Sequence, residues 1–339
     1  MQFVRSFVRK LLLGLGILVL ASCCLAAANV LIHRHSIDRT ALGITAEQAG
    51  AVCSKAIPQF YKEYVPEVMA NDHLLYAIAS NEAYGDPALK FFLVEKYDKN
   101  FSKFDTGERG GMRYTAYIKR SGTPTVLVAF RGTRATNWRD WFANFSWITG
   151  ALPIENEYAT ARDAFRSVRE KALAELNGGP VSFVVTGHSL GGGLAQHVAA
   201  GFPCVDAVVF DASFVTNVFE YVSPFETSVT IHIYDTGDEL TRLRSYLFTQ
   251  KDSPTYRWYP TTLSPCKESS ADEKHPRPLC HAITPFTIGM AGTVLDCQIR
   301  RTAECGIPSS DTRAQDVYCP SDGIRDEVCL PALARLGIH

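Results

Sequence analysis

The sequence carries almost no net charge: 34 Lys and Arg stand against 35 Asp and Glu, a formal −1 at pH 7. No stripe of Lys and Arg breaks that balance, so the composition argues against a nucleic-acid partner. No internal repeat runs through the chain, which excludes a solenoid or propeller. Beyond residue 260, where six of the cysteines fall, there is no Cys-x-x-Cys or His-x-x-x-His spacing. A zinc centre is therefore not expected there, and the reading includes neither a metal nor a cofactor.

What remains is ordinary globular material: 339 residues, 46% hydrophobic and 20% charged. That is ample for a core, and one large α/β domain is the leading expectation. The N-terminus stands apart. Arg5, Arg9 and Lys10 precede an uncharged apolar run from Leu11 to Ile32, the pattern of an export signal. Three fates compete. Leu20-Ala21-Ser22-Cys23 resembles a bacterial lipobox, which would leave Cys23 acylated and the protein on a membrane surface; this is the favoured reading. Ala26-Ala27-Ala28 offers ordinary cleavage and a soluble periplasmic or secreted product. The run is also long enough to stay as a single-pass anchor. The expected layout is a signal or anchor over 1–28, a tether over 29–50 and the α/β domain over 51–339. Cys23 and Cys24 aside, eight cysteines remain, an even count that suggests disulfides in an exported chain. Cys266, Cys280, Cys297, Cys305, Cys319 and Cys329 would staple an irregular part over 261–339.

The chain is organised around VSFVVTGHSLGGGLAQHVAAG (181–201). An apolar, β-branched run predicts a buried strand, then a sharp turn carries one serine, then small residues begin a helix. Strand, Gly187-His188-Ser189-Leu190-Gly191 and helix together make a nucleophile elbow. The pentapeptide alone arises by chance in roughly one chain in ten of this length, so its flanking strand and helix are what give it weight. Around it the patterning predicts a helix over 51–83 interrupted by Pro58 and Pro66, and a half-buried alternating strand over 112–120. Further strands are predicted over 123–132, 205–213 and 228–238, and a helix over 157–177. The stretch 249–280, rich in Pro, Ser and charge, reads as irregular. Strands alternating with helices imply a mostly parallel sheet covered on both faces.

A serine hydroxyl needs a base within reach and a group that orients the base. Behind an elbow the order along the chain is serine, acid, histidine. Asp238, beyond the strand SVTIHIYDTG, is the first choice for the acid. Asp235, whose other reading is to close the turn through its side chain, and Asp211, at the end of the strand after the elbow helix, are the alternatives. Only His275 and His281 follow. His275 sits in a charged, Pro-rich loop, whereas His281 follows Cys280 and leads into an apolar segment, and is preferred. His188 points away from the serine as the elbow's second residue, and His197 lies two helical turns on. The oxyanion donors should be the Leu190 amide and one from Arg131-Gly132-Thr133, where the Thr133 hydroxyl would add a third.

FRGT (130–133), a tryptophan-rich stretch, VTGHSLGG (185–192), Asp-Thr-Gly-Asp (235–238) and a late histidine, in that order, resemble the class-3, fungal-type lipases. The resemblance runs from about Ala70 to His281. It implies an α/β-hydrolase fold and activity on carboxylic esters, chiefly acylglycerols. It implies Ser189 as nucleophile, Asp238 as acid, His281 as base, and Thr133 with Leu190 as oxyanion donors. Two departures bear on substrate class: no His-x-Gly-Phe element precedes the helix that faces the elbow, and Phe210-Asp211-Ala212 stands where the family has Phe-Gly-Ser-Pro. Trp138, Trp141, Phe142 and Phe145 share one helical face. Where secreted fungal lipases carry a lid, these aromatics would open it at a lipid surface; packing into the core beside the oxyanion loop is the favoured alternative. The function expected is hydrolysis of acylglycerol or other lipid-like esters through an acyl-enzyme. A phospholipase or acyltransferase on the same site, and a non-catalytic surface module on a hydrolase fold, are the rivals.

Overall fold

The structure is a computed structural model that describes Cys24 and residues 66–85, 93–109, 112–132, 157–177, 180–213, 228–238, 256–262 and 281–300, with side chains to Leu295 in the last segment. The N-terminal run other than Cys24, the tether, the tryptophan-rich stretch, Thr133, His275 and the C-terminal tail lie outside the described residues. Among the described residues no helix is long and apolar enough to cross a membrane. Cys24 is free, helical and exposed, and Cys204 is disulfide-bonded. The expected staples over 261–339 lie outside the described side chains.

In chain order the described elements are α1 (Pro66–Glu82), α2 (Val94–Tyr97), β1 (Phe101–Arg109), β2 (Met112–Lys119), β3 (Thr125–Phe130) and α3 (Glu157–Glu175). Then follow β4 (Ser182–His188), α4 (Leu190–Gly201), β5 (Val205–Phe210), β6 (Thr230–Asp235), β7 (Tyr256–Thr261) and α5 (Ile283–Arg300). The strands form one seven-stranded sheet in the order β1-β2-β3-β4-β5-β6-β7. β1, β2 and β3 pair antiparallel, and β3 through β7 run parallel. This is the mostly parallel, helix-covered sheet that the sequence predicts, consistent with an α/β-hydrolase.

The strand sequences explain the two covers. On β4 and β5 every residue is buried, as a central parallel strand between two helical layers requires. Alternate residues feed opposite cores. Leu127, Ala129, Val184, Val208, Phe210, Ile231 and Ile233 pack with α1 and α5. Val126, Val128, Phe130, Phe183, Val185, Ala207 and Val209 pack with α3 and α4.

The structure departs from the sequence pattern at three strands. β2 is not half-buried: Tyr114 through Ile118 are all buried, because the antiparallel end of the sheet is also covered on both sides. Pro66 is the first described residue of α1; Pro58 and the residues just before Pro66 lie outside the described residues. β1 was not foreseen; FSKFDTGER is polar and only partly buried because it is the last described strand on its side. Finally, 249–280 is not wholly irregular, since YRWYPT forms β7 against β6. Pro260 hid it, yet β7 ends the described sheet, and such an outer strand tolerates a residue without an N–H.

The parallel register sets up the site. Phe130 lies opposite Gly187, His188 opposite Phe210, and Phe210 opposite Ile233. The carboxyl ends of β3, β4, β5 and β6 therefore finish level, and the turns that leave them gather along one edge, where ligands bind in open α/β sheets.

Candidate active site

Ser189 stands between β4 and α4 with φ 56° and ψ −127°, a conformation that costs a residue with a side chain about 1–3 kcal/mol. Its neighbours hold it there. The Ser189 amide donates to the Phe210 carbonyl at 3.1 Å, and its own carbonyl accepts from Gly193 at 3.1 Å and Ser213 at 2.8 Å. The glycines are steric necessities. A Cβ on Gly187 would run into the Gly191 backbone, and one on Gly191 would run into the Phe130 carbonyl. So β3, β4 and α4 cross in contact, and Ser189 caps the α4 N-terminus with Leu190 as the helix's first residue. The first amides of a helix lack intrahelical acceptors and sit at its positive end.

β6 ends in Asp235, whose Oδ1 accepts from the Gly237 amide at 2.6 Å, while the Asp238 amide donates to the Asp235 carbonyl at 3.1 Å. That turn delivers Asp238 into the interior, fully buried. There it meets His281: Nδ1 donates to Asp238 Oδ2 at 2.6 Å. The short, charge-assisted bond fixes the proton on Nδ1 and leaves Nε2 as the basic nitrogen. The His281 side chain keeps 23% of its surface exposed against none for Asp238, so the pair has a wet side and a dry side. The other two carboxylates bind backbone amides: Asp235 as above, and Asp211 through Oδ1 to the Asp235 amide at 2.7 Å.

His188, expected to point away from the serine, is a neighbour of this pair. Its ring centroid lies 4.7 Å from that of His281, tilted by 40°. Its Nδ1 lies 3.0 Å from the Tyr84 hydroxyl. Burial first, and then the proximity of His281, hold it well below the usual histidine range, opposed by the His281 backbone carbonyl; Nε2 makes no hydrogen bond of full geometry to that carbonyl. His188 is therefore a neutral ring at neutral pH. His197 is remote in role: its Nε2 accepts from Arg162 Nη1 at 2.7 Å, and its ring meets Tyr158 edge-on at 5.0 Å.

The loop after β3 brings Gly132 under the elbow, with no space for a side chain against Tyr84 Oη or the His188 carbonyl. The Arg131 amide donates to the Arg113 carbonyl at 2.9 Å, and Tyr84 Oη lies close against Gly132. Tyr84, just past α1, was not foreseen, because nothing in the local pattern of Glu-Ala-Tyr-Gly-Asp marks it. Trp138, Trp141, Phe142 and Phe145, offered as lid or core, lie outside the described residues, as do Thr133 and Cys23. No group of three or more His, Cys, Asp or Glu that could hold a metal occurs among the described residues.

Residues 88–219 match the family model of a Tle-like phospholipase domain, in a phospholipase-like family. The match supports a lipase-like hydrolase family. Its span includes the elbow and the loop after β3; Asp238 and His281 lie beyond it. No curated protein matches the chain. Among solved structures, lipase II from Rhizopus niveus is similar at 16% identity and a TM-score of 0.40, covering 56% of this chain and 80% of that one. The lipase from Rhizopus microsporus var. chinensis is similar at 18% identity and a TM-score of 0.40, covering 61% and 76%.

Proposed function

We propose that this lipase-like chain hydrolyses carboxylic esters of lipids through an acyl-enzyme on Ser189. One observation supports the reading: the Nδ1 of His281 is held by the buried Asp238 carboxylate, and the ring of His281 lies 4.7 Å from that of His188, the residue before the strained Ser189 at a helix N-terminus. Ser189 Oγ attacks the ester carbonyl while its proton passes to His281 Nε2. Asp238 stabilises the resulting imidazolium, and the tetrahedral oxyanion rests on backbone amides. Collapse breaks the bond to the alcohol, which leaves with the proton from His281. Water then repeats the sequence on the acyl-enzyme, giving the fatty acid and free Ser189.

Leu190 supplies one oxyanion amide as the first residue of α4. For the second, the Arg131 amide is engaged with the Arg113 carbonyl. That leaves Gly132 and Thr133, with the Thr133 hydroxyl as a further donor. The phospholipase-like match favours a glycerophospholipid ester over a triacylglycerol as substrate. Transfer of the acyl group to an alcohol instead of water is the variant this same chemistry permits. We further propose that the site works outside the cytoplasm, tethered through acylated Cys23, a reading supported by the lipobox-like Leu20-Ala21-Ser22-Cys23; intact mass of the mature N-terminal peptide would overturn this if it began, unmodified, at Asn29.

A fluorophosphonate probe tests the enzyme reading. The full chain should take up one phosphonate and hydrolyse short-chain phosphatidylcholine, and Ser189→Ala should abolish both. Folded parent protein that is neither labelled nor active would leave a binding module as the better description.

A further inference from the structure

We infer that Asp211 is a positioning residue for the proposed acid, its carboxylate bracketing the turn that carries Asp238 to the strand end that holds Ser189. The inference rests on the hydrolase reading above. Asp211 bears two costs at once: it is a non-glycine residue at φ 39°, and it is buried, with 2% of its surface exposed. A left-handed backbone favours glycine, and a buried carboxylate must find donors. A glycine would remove both costs, so the fold alone does not call for an acid here.

The register of β5 with β6 ends at Phe210 and Ile233, closed by the Asp211 amide donating to the Ile233 carbonyl at 3.1 Å. β6 runs on to Asp235, while the other chain leaves β5 at the positive φ of Asp211. Asp211 Oδ1 reaches across and accepts from the Asp235 amide at 2.7 Å. The side chain thus extends the ladder where the backbone has turned away. Asp235 in turn governs the acid: its Oδ1 accepts from the Gly237 amide at 2.6 Å, and its carbonyl accepts from the Asp238 amide at 3.1 Å. On the other flank the Thr236 amide donates to the Thr261 carbonyl of β7 at 2.9 Å. The residues beside Asp211 hold the nucleophile, since Phe210 accepts from the Ser189 amide at 3.1 Å and the Ser213 amide donates to the Ser189 carbonyl at 2.8 Å. One buried segment therefore joins the backbone of the serine to the turn of the acid. Without the Asp211 oxygen the turn loses this hold on the β5 side, and Asp238 is less firmly placed against His281 Nδ1, 2.6 Å away.

Asp211→Gly suits the backbone and removes the oxygen. A small displacement of a positioned group can cost on the order of 10²-fold, so kcat on a p-nitrophenyl ester should fall about 10–100-fold. KM and the melting temperature should stay near those of the parent. Asp211→Asn keeps an acceptor for the Asp235 amide and tolerates positive φ. A neutral acceptor holds an amide less strongly than a charged one but still holds it, so kcat should return to within about threefold of the parent. In an Asp238→Asn background, adding Asp211→Gly should cost no more than about twofold further, because both changes act on one link. Turnover of Asp211→Gly within about twofold of the parent, a loss residing in KM, an Asn variant as slow as the Gly variant, or losses that multiply in the double variant would each overturn the inference. Should Asp211→Gly not fold, Asp211→Ser, whose side chain stops short of the Asp235 amide, replaces it under the same limits. Failure of both to fold would make Asp211 a requirement of the fold and overturn the inference as well. A parent that takes up no fluorophosphonate and shows no turnover removes the enzyme reading and this inference together, whereas an active parent with an indifferent Asp211 removes this inference alone.

Discussion

On the α3–α4 side of the sheet, Phe165 of α3 meets Phe183 of β4 and Phe202, just past α4, edge-on with ring centroids 5.8 and 4.9 Å away. Against α1 and α5 the sheet sets Thr186, whose hydroxyl lies 2.9 Å from that of Ser80 and donates to the Val208 carbonyl at 2.7 Å. The polar theme continues between the helices on that side, where Thr284 donates to Asn81 at 3.0 Å. It also continues up β4, where two residues on from Thr186 the chain presents His188 to Tyr84 and His281. The α3–α4 side has buried polar groups as well, but His232, Tyr256 and Gln196 gather toward β6 and β7. The difference is one of purpose. Edge-to-face aromatics supply about 0.5–1.5 kcal/mol per pair beyond the area they bury, and they tolerate some movement. Hydrogen bonds between buried groups add little net energy, yet they fix positions, because leaving one unmade is costly. The first side holds the sheet together; the second aims the site.

The comparison can be broken in four places. The largest effect is expected at Asp238→Asn, which should lower turnover on the order of 10⁴-fold by favouring the wrong His281 tautomer, with the fold intact by circular dichroism. Full activity in this variant, with loss in Asp211→Asn, would move the acid to the end of β5. On the aromatic side Phe165→Ala should cost about 3–5 kcal/mol in urea unfolding. Its kcat, measured well below the transition, should remain close to the parent's; a large fall would mean that the aromatic side also aims the site.

A third effect lies in pH. Burial lowers His73, on α1, to about 4, with Asp72 opposing. In the unfolded chain its value returns to about 6.5, so between those values the unfolded state binds the extra proton and stability falls as pH falls. The contribution is complete above about pH 6.5 and lost toward pH 4, amounting to about 3 kcal/mol. His188, lowered in the same direction, adds to the slope, so the difference between the parent and His73→Leu isolates His73. Identical slopes between pH 7 and 4.5 would refute the assignment. The smallest effect is Thr186→Val, at about 1–3 kcal/mol in stability. If the polar side aims the site, kcat should fall as well; a stability loss with turnover untouched would reduce that seam to structure alone.

Much of this was legible before any coordinates. The run SFVVTGH is apolar and β-branched and can be little but a buried strand, and Gly187 and Gly191 can be explained only by a close crossing. Asp235-Thr236-Gly237-Asp238 places two carboxylates after a strand, and the side-chain turn at Asp235 follows from its type. What failed did so for local reasons. β1 is polar because it lies at the edge of the sheet, and β7 carries a proline that only an outer strand tolerates. In both cases the sequence reports exposure, which local pattern cannot tell apart from a loop.

Sequence alone determined the elbow, the order of the strands that flank it and the short set of acids and histidines that could serve it, because those depend on neighbours in the chain. Only the tertiary structure decided which carboxylate meets His281, that His188 faces inward, and that Tyr84 reaches Gly132 and His188 across more than forty and a hundred residues of chain respectively. Those are contacts between distant segments, set by the level ends of β3 to β6 and by the way α1 lies across them. No local propensity encodes them.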